Sequence, residues 1–431
     1  MNYIKQIFYE MRHQKMMTWV SIGGTALAIF LVMAFFMSEQ IDTVEVQPVS
    51  KRSRILYGTG MHLRSTNPSD HNDGSAGLSM EAAKKIYEGL DGIEEMTCTY
   101  WNPEAESIGL PNEETFSVSS QATNASYWKI FDFTFLYGKP YDKAAVDAGE
   151  KVVVLTRNVA RKIFKEDDVV GREVLINYIP YTVCGVVEDV PQMFQGADND
   201  IFVPINVNKS FSYGEGAMDG CGQLQTVMLM KPGVTRDDIA AQVKARYATM
   251  TESLKDEQFE AVYHEQPYTP ATIAEGGFGS NNSPDTSGDV VDWFIYAILI
   301  LLPAINLSSM TRGRLRHRVS EIGVRRAFGA KRTSIIRQMM TENLIITIIG
   351  GLIGLVCSFL FMWLVSDFFF DFGAGQMSGS TGAKPTFEML FSWKSFAVAV
   401  VLCFVLNLVS AFVPSWSASR VDPAIAINKV R

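Results

Sequence analysis

Four uninterrupted apolar runs set the frame of this chain. They cover residues 18–37, 293–311, 344–366 and 395–413, and none of them carries a charge. A helix crossing about 30 Å of hydrocarbon needs about 20 such residues. In lipid the backbone must satisfy its own hydrogen bonds, so each run is expected to be a helix. The first run is longer than the apolar part of a typical signal peptide. No small-residue cleavage site follows it in Ser38-Glu39-Gln40, so it reads as an uncleaved anchor.

Between the first and second runs the pattern changes to short mixed elements. Ser79 stands where it would cap a helix through Leu90, with Ala83, Ile86, Tyr87 and Leu90 recurring on one face. Thr235 and Asp238 form a capping box ahead of Ile239, Val243 and Tyr247. The β-branched runs 152–155 and 181–187 predict strands. Residues 157–165 between them predict a short helix with Ile163 and Phe164 facing inward. Gly/Ser/Asn-rich stretches at 275–289 and 373–384 predict connectors. The pattern therefore predicts a membrane protein, an α-helical four-span transmembrane domain with a large α+β extracytoplasmic domain between spans one and two. Its parts are an N-terminal amphipathic segment (1–17), span one (18–37), the external domain (38–292), span two (293–311) and a loop (312–341). Span three (342–366), a short external loop (367–394), span four (395–413) and a tail (414–431) follow.

Charge gives this arrangement its direction. Hydrophobic residues make up 47% of the chain and charged ones only 19%, below the roughly 25% of soluble domains. In the loop 312–341, Arg312, Arg314, Arg316, Arg318, Arg325, Arg326, Lys331, Arg332 and Arg337 face only Glu321 as an acid. Both terminal segments are also net basic, whereas residues 38–292 hold 39 acidic and 21 basic residues. Lys and Arg collect on the cytoplasmic side of spans, so both termini are expected in the cytoplasm and the large domain outside. The acidic exterior would attract cationic substrates or simply keep the domain soluble.

Candidate chemistry is sparse. No G-x-x-x-x-G-K-[ST] phosphate loop, CxxC, HExxH or nucleophile elbow occurs in these residues. ATP hydrolysis by these residues is therefore not expected, and no cofactor or metal is assigned. His62, Asp70, His71 and Asp73 crowd one polar stretch, but Asn67-Pro68-Ser69 and Gly74-Ser75 within it read as a solvated loop rather than a metal site. The external cysteines Cys98, Cys184 and Cys221 are odd in number, so one disulfide is possible and its pairing is open. The basic loop flanks two spans, which accounts for its charge without nucleic acid.

The stretch Glu321-Ile322-Gly323-Val324-Arg325-Arg326-Ala327-Phe328-Gly329-Ala330 is the most informative. Gly329 suits a helix C-terminus and Thr333 the cap of the next helix, which runs on into span three. A short basic helix followed by a tight turn is a form that docks in partner grooves. Here the sequence resembles the FtsX-like permease family, whose E-I-G-x-R-R-A-x-G-A motif stands at 321–330. Gly350-Gly351-Leu352-Ile353-Gly354 and the tail Pro414-Ser415-Trp416 through Asp422-Pro423-Ala424 also resemble it. Residues 127–204 resemble a MacB-type periplasmic core, with Gly138 after an aromatic run, Gly171-Arg172 and 181–187.

The resemblance implies a non-catalytic permease subunit of an ABC transporter in the inner membrane, working by mechanotransmission with a separately encoded ATPase. A second permease would pair with it as homo- or heterodimer, and a membrane-fusion adaptor with an outer-membrane channel would serve efflux or lipoprotein handling. A scaffold activating a cell-wall hydrolase is the alternative. Glu321, Ile322, Gly323, Arg325, Arg326, Gly329 and Ala330 would form the ATPase contact. Glu321 either pairs with Arg325 or meets the ATPase, and Arg325 and Arg326 either pair with acids there or anchor the topology. Gly350 and Gly354 share one helix face and allow close packing, at a dimer seam or within one subunit.

Overall fold

The computed structural model describes residues 15–41, 44–67, 73–101, 106–191, 196–207, 220–274 and 331–373, with isolated positions besides. The chain divides into two compact units, one holding the membrane-length helical stretches and the other chiefly residues 41–285. Most of 293–311, residues 406–413, the connectors 275–289 and 374–384, Asp70, His71 and most of the 321–330 motif lie outside the described residues, while 396–398, 400–402, 404 and 405 are helical as expected.

Two sheets build the second unit. Edge to edge, the larger runs β1 (Ile55–Gly58), β14 (Gln225–Met230), β4 (Ile93–Trp101), β7 (Ser120–Thr123), β12 (Ile201–Pro204), β9 (Val152–Thr156), β11 (Ile179–Val187), β10 (Glu173–Ile176), β5 (Glu106–Gly109) and β6 (Phe116–Val118). A further strand, β8 (Phe135–Gly138), also pairs with β11. The smaller sheet is β13 (Cys221–Gly222), β3 (Asp73–Leu78), β2 (Met61–Ser65) and β15 (Phe259–Val262). Strands before residue 102 and after residue 220 thus enclose an insertion, β5 to β12. The two parts meet where β4 pairs with β7, Thr99 opposite Thr123.

Local sequence accounts for most of these elements. The strand β9 is buried nearly throughout, as a β-branched run in mid-sheet should be. It pairs in parallel with β11, and a parallel pair needs a long crossover. Helix α3 (Arg157–Phe164) lies within that crossover. Its inward face is Val159, Ala160 and Ile163, while Phe164 is half-buried below the Arg172 guanidinium. The expectation of an inward Phe164 is corrected accordingly.

Helix α2 (Met80–Tyr87) begins under the Ser79 hydroxyl, which accepts from the Ala82 N–H at 3.1 Å. It stops at Tyr87 rather than Leu90, because Glu88 is extended and Gly89 takes a φ of +70°. The capping box is present on α4 (Arg236–Ser253), whose Ile239, Val243 and Tyr247 are buried. At Gly138, with φ +69°, a Cβ would stand 2.9 Å from the Gly185 Cα and closer still to the Cys184 carbonyl, so only glycine fits β8 against β11.

Two further expectations change. Residues 61–65 and 73–78 are paired strands rather than loop, with His62 opposite Ser75. Cys98, Cys184 and Cys221 are all free thiols. Burial pushes Cys98 up to about 12 and Cys184 up to about 11, so both stay protonated and inert at neutral pH.

Candidate functional site

In the other unit, helices α1 (Lys15–Ile41) and α5 (Arg332–Gly373) pack along a seam of small and branched side chains. Among the described residues these are the two helices with stretches apolar enough to cross a membrane, Thr18–Met37 and Met340–Leu364. The α5 helix is 42 residues long, about 63 Å at 1.5 Å per residue. It therefore overruns the expected span 342–366 at both ends. The first eight residues, 332–339, carry part of the basic loop as helix rather than as loop.

Gly350 and Gly354 face α1 of the same chain. A Cβ on Gly350 would lie 2.9 Å from Thr25 Cβ and 3.2 Å from the Ala26 nitrogen. One on Gly354 would lie 2.6 Å from the Ala26 carbonyl oxygen and 3.1 Å from Ile29 Cβ. Backbones approach this closely only where no side chain intervenes.

The contacts around them run in the same order on both helices. Ile22 packs on Ile346, Thr25 lies at Gly350, Ile29 at Gly354, and Phe30 meets Phe361 edge-on at 5.3 Å. Helices in such register are parallel. Their basic beginnings, Lys15 on α1 and Lys331, Arg332 and Arg337 at α5, therefore stand at the same end of the pair. Buried Thr25 turns its hydroxyl back to the Ser21 carbonyl at 2.9 Å, so the seam contains no unpaired hydroxyl there.

Just ahead of α5, Gly329 takes a φ of +89°, a conformation that glycine adopts without strain. Beside it Phe328 is 89% exposed. Phe328 was not singled out from the sequence. The available signal was an aromatic residue placed against a glycine within a basic loop. The α1 face of Thr25, Ala26 and Ile29 was also missed, because every position of an apolar span looks alike until its neighbour is known. Glu321, Ile322, Gly323, Arg325, Arg326 and Ala330 lie outside the described residues. Also among the described residues, no group of three or more His, Cys, Asp or Glu side chains converges on a metal-sized site. His62 meets His264 instead, at 2.6 Å.

Comparison with known proteins aligns with this division. A family described as MacB-like periplasmic core domain matches residues 18–246, and one described as FtsX-like permease C-terminal matches 293–423. The macrolide export ATP-binding/permease protein MacB of Hahella chejuensis is 25% identical over 318 residues, 73% of this chain and 43% of that protein. The chain thus spans less than half the length of that relative. An uncharacterized ABC transporter permease of Bacillus subtilis, YknZ, is 22% identical over 344 residues, 80% of this chain and 77% of that protein. The crystal structure of the periplasmic region of MacB from Actinobacillus actinomycetemcomitans overlaps 50% of this chain and 90% of that one, at 17% identity and a TM-score of 0.34.

Proposed function

Because the chain belongs to the MacB/FtsX-type permease family, we propose that it is the permease subunit of an ABC transporter. In this reading a separate ATPase subunit drives motion of the external domain. The parallel packing of α1 and α5 carries the proposal. Two membrane-length helices that point the same way, with basic residues at their shared beginning, fit a chain that crosses back between them. The apolar run 293–311 is the segment available for that return. The same arrangement supports a cytoplasmic N-terminus, a cytoplasmic loop 312–331 and an external domain on the opposite side of the inner membrane.

The length of α5 supports mechanotransmission. The helix leaves the Gly329 turn and continues unbroken past the Gly350/Gly354 seam. A displacement at the turn is therefore handed along a rigid rod to α1, which itself leads into the external domain. Exposed Phe328 would enter an apolar groove on the ATPase, with Arg325 and Arg326 meeting acids around it and Glu321 completing the contact. The MacB relative is named as an ATP-binding and permease protein in one chain. Efflux or lipoprotein handling through an adaptor is the expected use, with a second permease completing the pair.

Affinity purification from native membranes in mild detergent, followed by mass spectrometry, tests this. An ATPase with a membrane-fusion adaptor supports efflux. Recovery of a peptidoglycan hydrolase with the ATPase redirects the reading to a regulatory scaffold, and reproducible absence of any ATPase overturns it. Within the complex, the Glu321→Ala/Arg325→Ala pair should reduce ATPase recovery while leaving the protein folded.

A further inference from the structure

His62 lies on β2 and His264 just beyond β15. Strand pairing sets Val262 opposite His62, so the two imidazoles are diagonal neighbours on one face of the smaller sheet. His62 Nδ1 is 2.6 Å from His264 Nε2, the ring planes are 7° apart, and the centroids are 4.9 Å apart. The centroid separation exceeds the N···N distance by about one ring width. The rings therefore lie end to end in one plane, in the geometry of a hydrogen bond rather than of a face-to-face stack. One nitrogen donates and the other accepts, so the pair holds a single proton between its two facing nitrogens.

His264 belongs to a strap, residues 263–268, that closes this part of the domain. Tyr268 donates its hydroxyl to the His264 carbonyl at 2.6 Å and exchanges main-chain hydrogen bonds with Tyr57 at 2.9 and 2.8 Å. Gln266 is buried at the centre. Its Oε1 accepts from the Thr59 N–H at 3.0 Å and from the Tyr87 hydroxyl at 2.8 Å, and its Nε2 donates to the Gly60 carbonyl at 2.9 Å. Arg236 of α4 donates to the carbonyls of Glu265 and Pro267. The strap precedes the short helix Pro270–Ala274 and then the sequence leading to the apolar run 293–311.

We propose that the His62–His264 pair is a proton-operated clasp on this strap, closed when the two rings share one proton and released when each carries its own. With both rings fully protonated, two N–H groups face each other and two positive charges stand at hydrogen-bond range. The doubly charged pair separates, and the strap loses its first tie. Imidazole is the side chain whose charge changes between about pH 5 and 8. The inference stands on the external domain alone and does not depend on the transporter reading.

Among the described residues, several other ionisable groups lie around the pair. On the same sheet face Arg64 is opposite both Asp73 and Glu260, and its NH1 is 3.4 Å from the Glu260 carboxylate. The helix α4 contributes Arg236 and Asp237, and the strap contributes Glu265. The phenols Tyr87, Tyr247, Tyr263 and Tyr268 are all held above their ordinary range by burial and remain neutral. The Asp198 carboxyl is pushed up to about 7 by burial, and it acts on Tyr57, the bridge partner of Tyr268.

The test is hydrogen–deuterium exchange of the full chain in lipid nanodiscs at about pH 6.5 and about pH 5, where the second proton is taken up, corrected for intrinsic exchange. The first proton added to the neutral pair goes to an outward nitrogen and leaves the N–H···N bond in place, so opening is linked to the second, and that one-proton step raises the open population up to about tenfold per pH unit. Peptides covering 258–274 should therefore exchange faster at the lower pH, while strands β9 and β11 do not. His264→Gln removes the titrating ring and should leave those peptides flat between the two conditions, whereas a contribution from Asp198 would persist in it. If β9 and β11 lose protection in that variant, His62→Gln replaces it. Equal exchange of 258–274 at both pH values in the wild type, or the same acid response in the variant as in the wild type, overturns the clasp.

Discussion

The packing seam gives the sharpest quantitative test, Gly354→Leu set against Gly23→Leu. At Gly354 the first added carbon would stand 2.6 Å from the Ala26 carbonyl oxygen, whereas a carbon–oxygen contact settles at about 3.3 Å. The helices must then part by about 0.7 Å for the Cβ alone, and the remaining leucine carbons widen the gap further. Overpacking of this kind costs about 1–3 kcal/mol, and the contacts of Ile29 and Phe30 are lost with it. Gly23 lies on α1 with no atom within 4 Å of a built Cβ. Leucine there replaces the poorest common helix residue, a gain of up to about 1 kcal/mol. The two variants should differ by about 2–4 kcal/mol despite identical chemistry. Thermal unfolding in one detergent should show Gly354→Leu melting at least about 4 °C below Gly23→Leu, at roughly 2 °C or more per kcal/mol. Melting of Gly354→Leu with the wild type, or an equal fall in Gly23→Leu, would refute the seam.

Three other outcomes follow from single residues. Phe328→Ser should leave the melting temperature unchanged, because the ring is solvent-exposed. It should weaken ATPase affinity about 10- to 150-fold, the value of burying one such side chain at about 1.5–3 kcal/mol, measured by titrating the purified ATPase. Half-buried Asp198 has its carboxyl pushed up to about 7 by desolvation. Its folded pKa lies above its unfolded one, so stability falls as pH rises from about 4 toward 7 and stays low above that. Asp198→Asn should accordingly raise the melting temperature at pH 8 and change little at pH 4, as differential scanning fluorimetry across pH would register. Gln266→Leu leaves the Thr59 N–H and the Tyr87 hydroxyl without their acceptor in the interior. The expected cost is about 2–4 kcal/mol, read from denaturant unfolding of the full chain, with no effect on ATPase binding.

How far the sequence reached depends on the range of the interaction involved. Caps at Ser79 and Thr235 are local exchanges between a side chain and an amide three residues on, and both were legible. The buried strand β9 and the hydrophobic faces of α2 and α4 were legible for the same reason. Phe164 was misplaced because its neighbour Arg172, eight residues on, covers it from another segment. Likewise His62 read as part of a loop, since its strand partners lie at Ser75 and Val262 and its imidazole partner 202 residues away. The end of α2 required the φ of Gly89, which composition does not express.

What the sequence determined alone is the physics of solvent. Uncharged runs of span length and the clustering of Lys and Arg at their ends follow from the cost of placing charge in hydrocarbon, and that cost is paid residue by residue. The motif at 321–330 determined the family resemblance in the same one-dimensional way. Only the tertiary structure set what Gly350 and Gly354 lie against within this chain, because a small residue signals a close approach without naming the approaching surface. It placed Ala26 and Ile29 of α1 there, in parallel register, and it set two histidines from opposite ends of the external domain ring to ring. Those outcomes depend on distances between segments far apart in the chain, which no periodicity along it records.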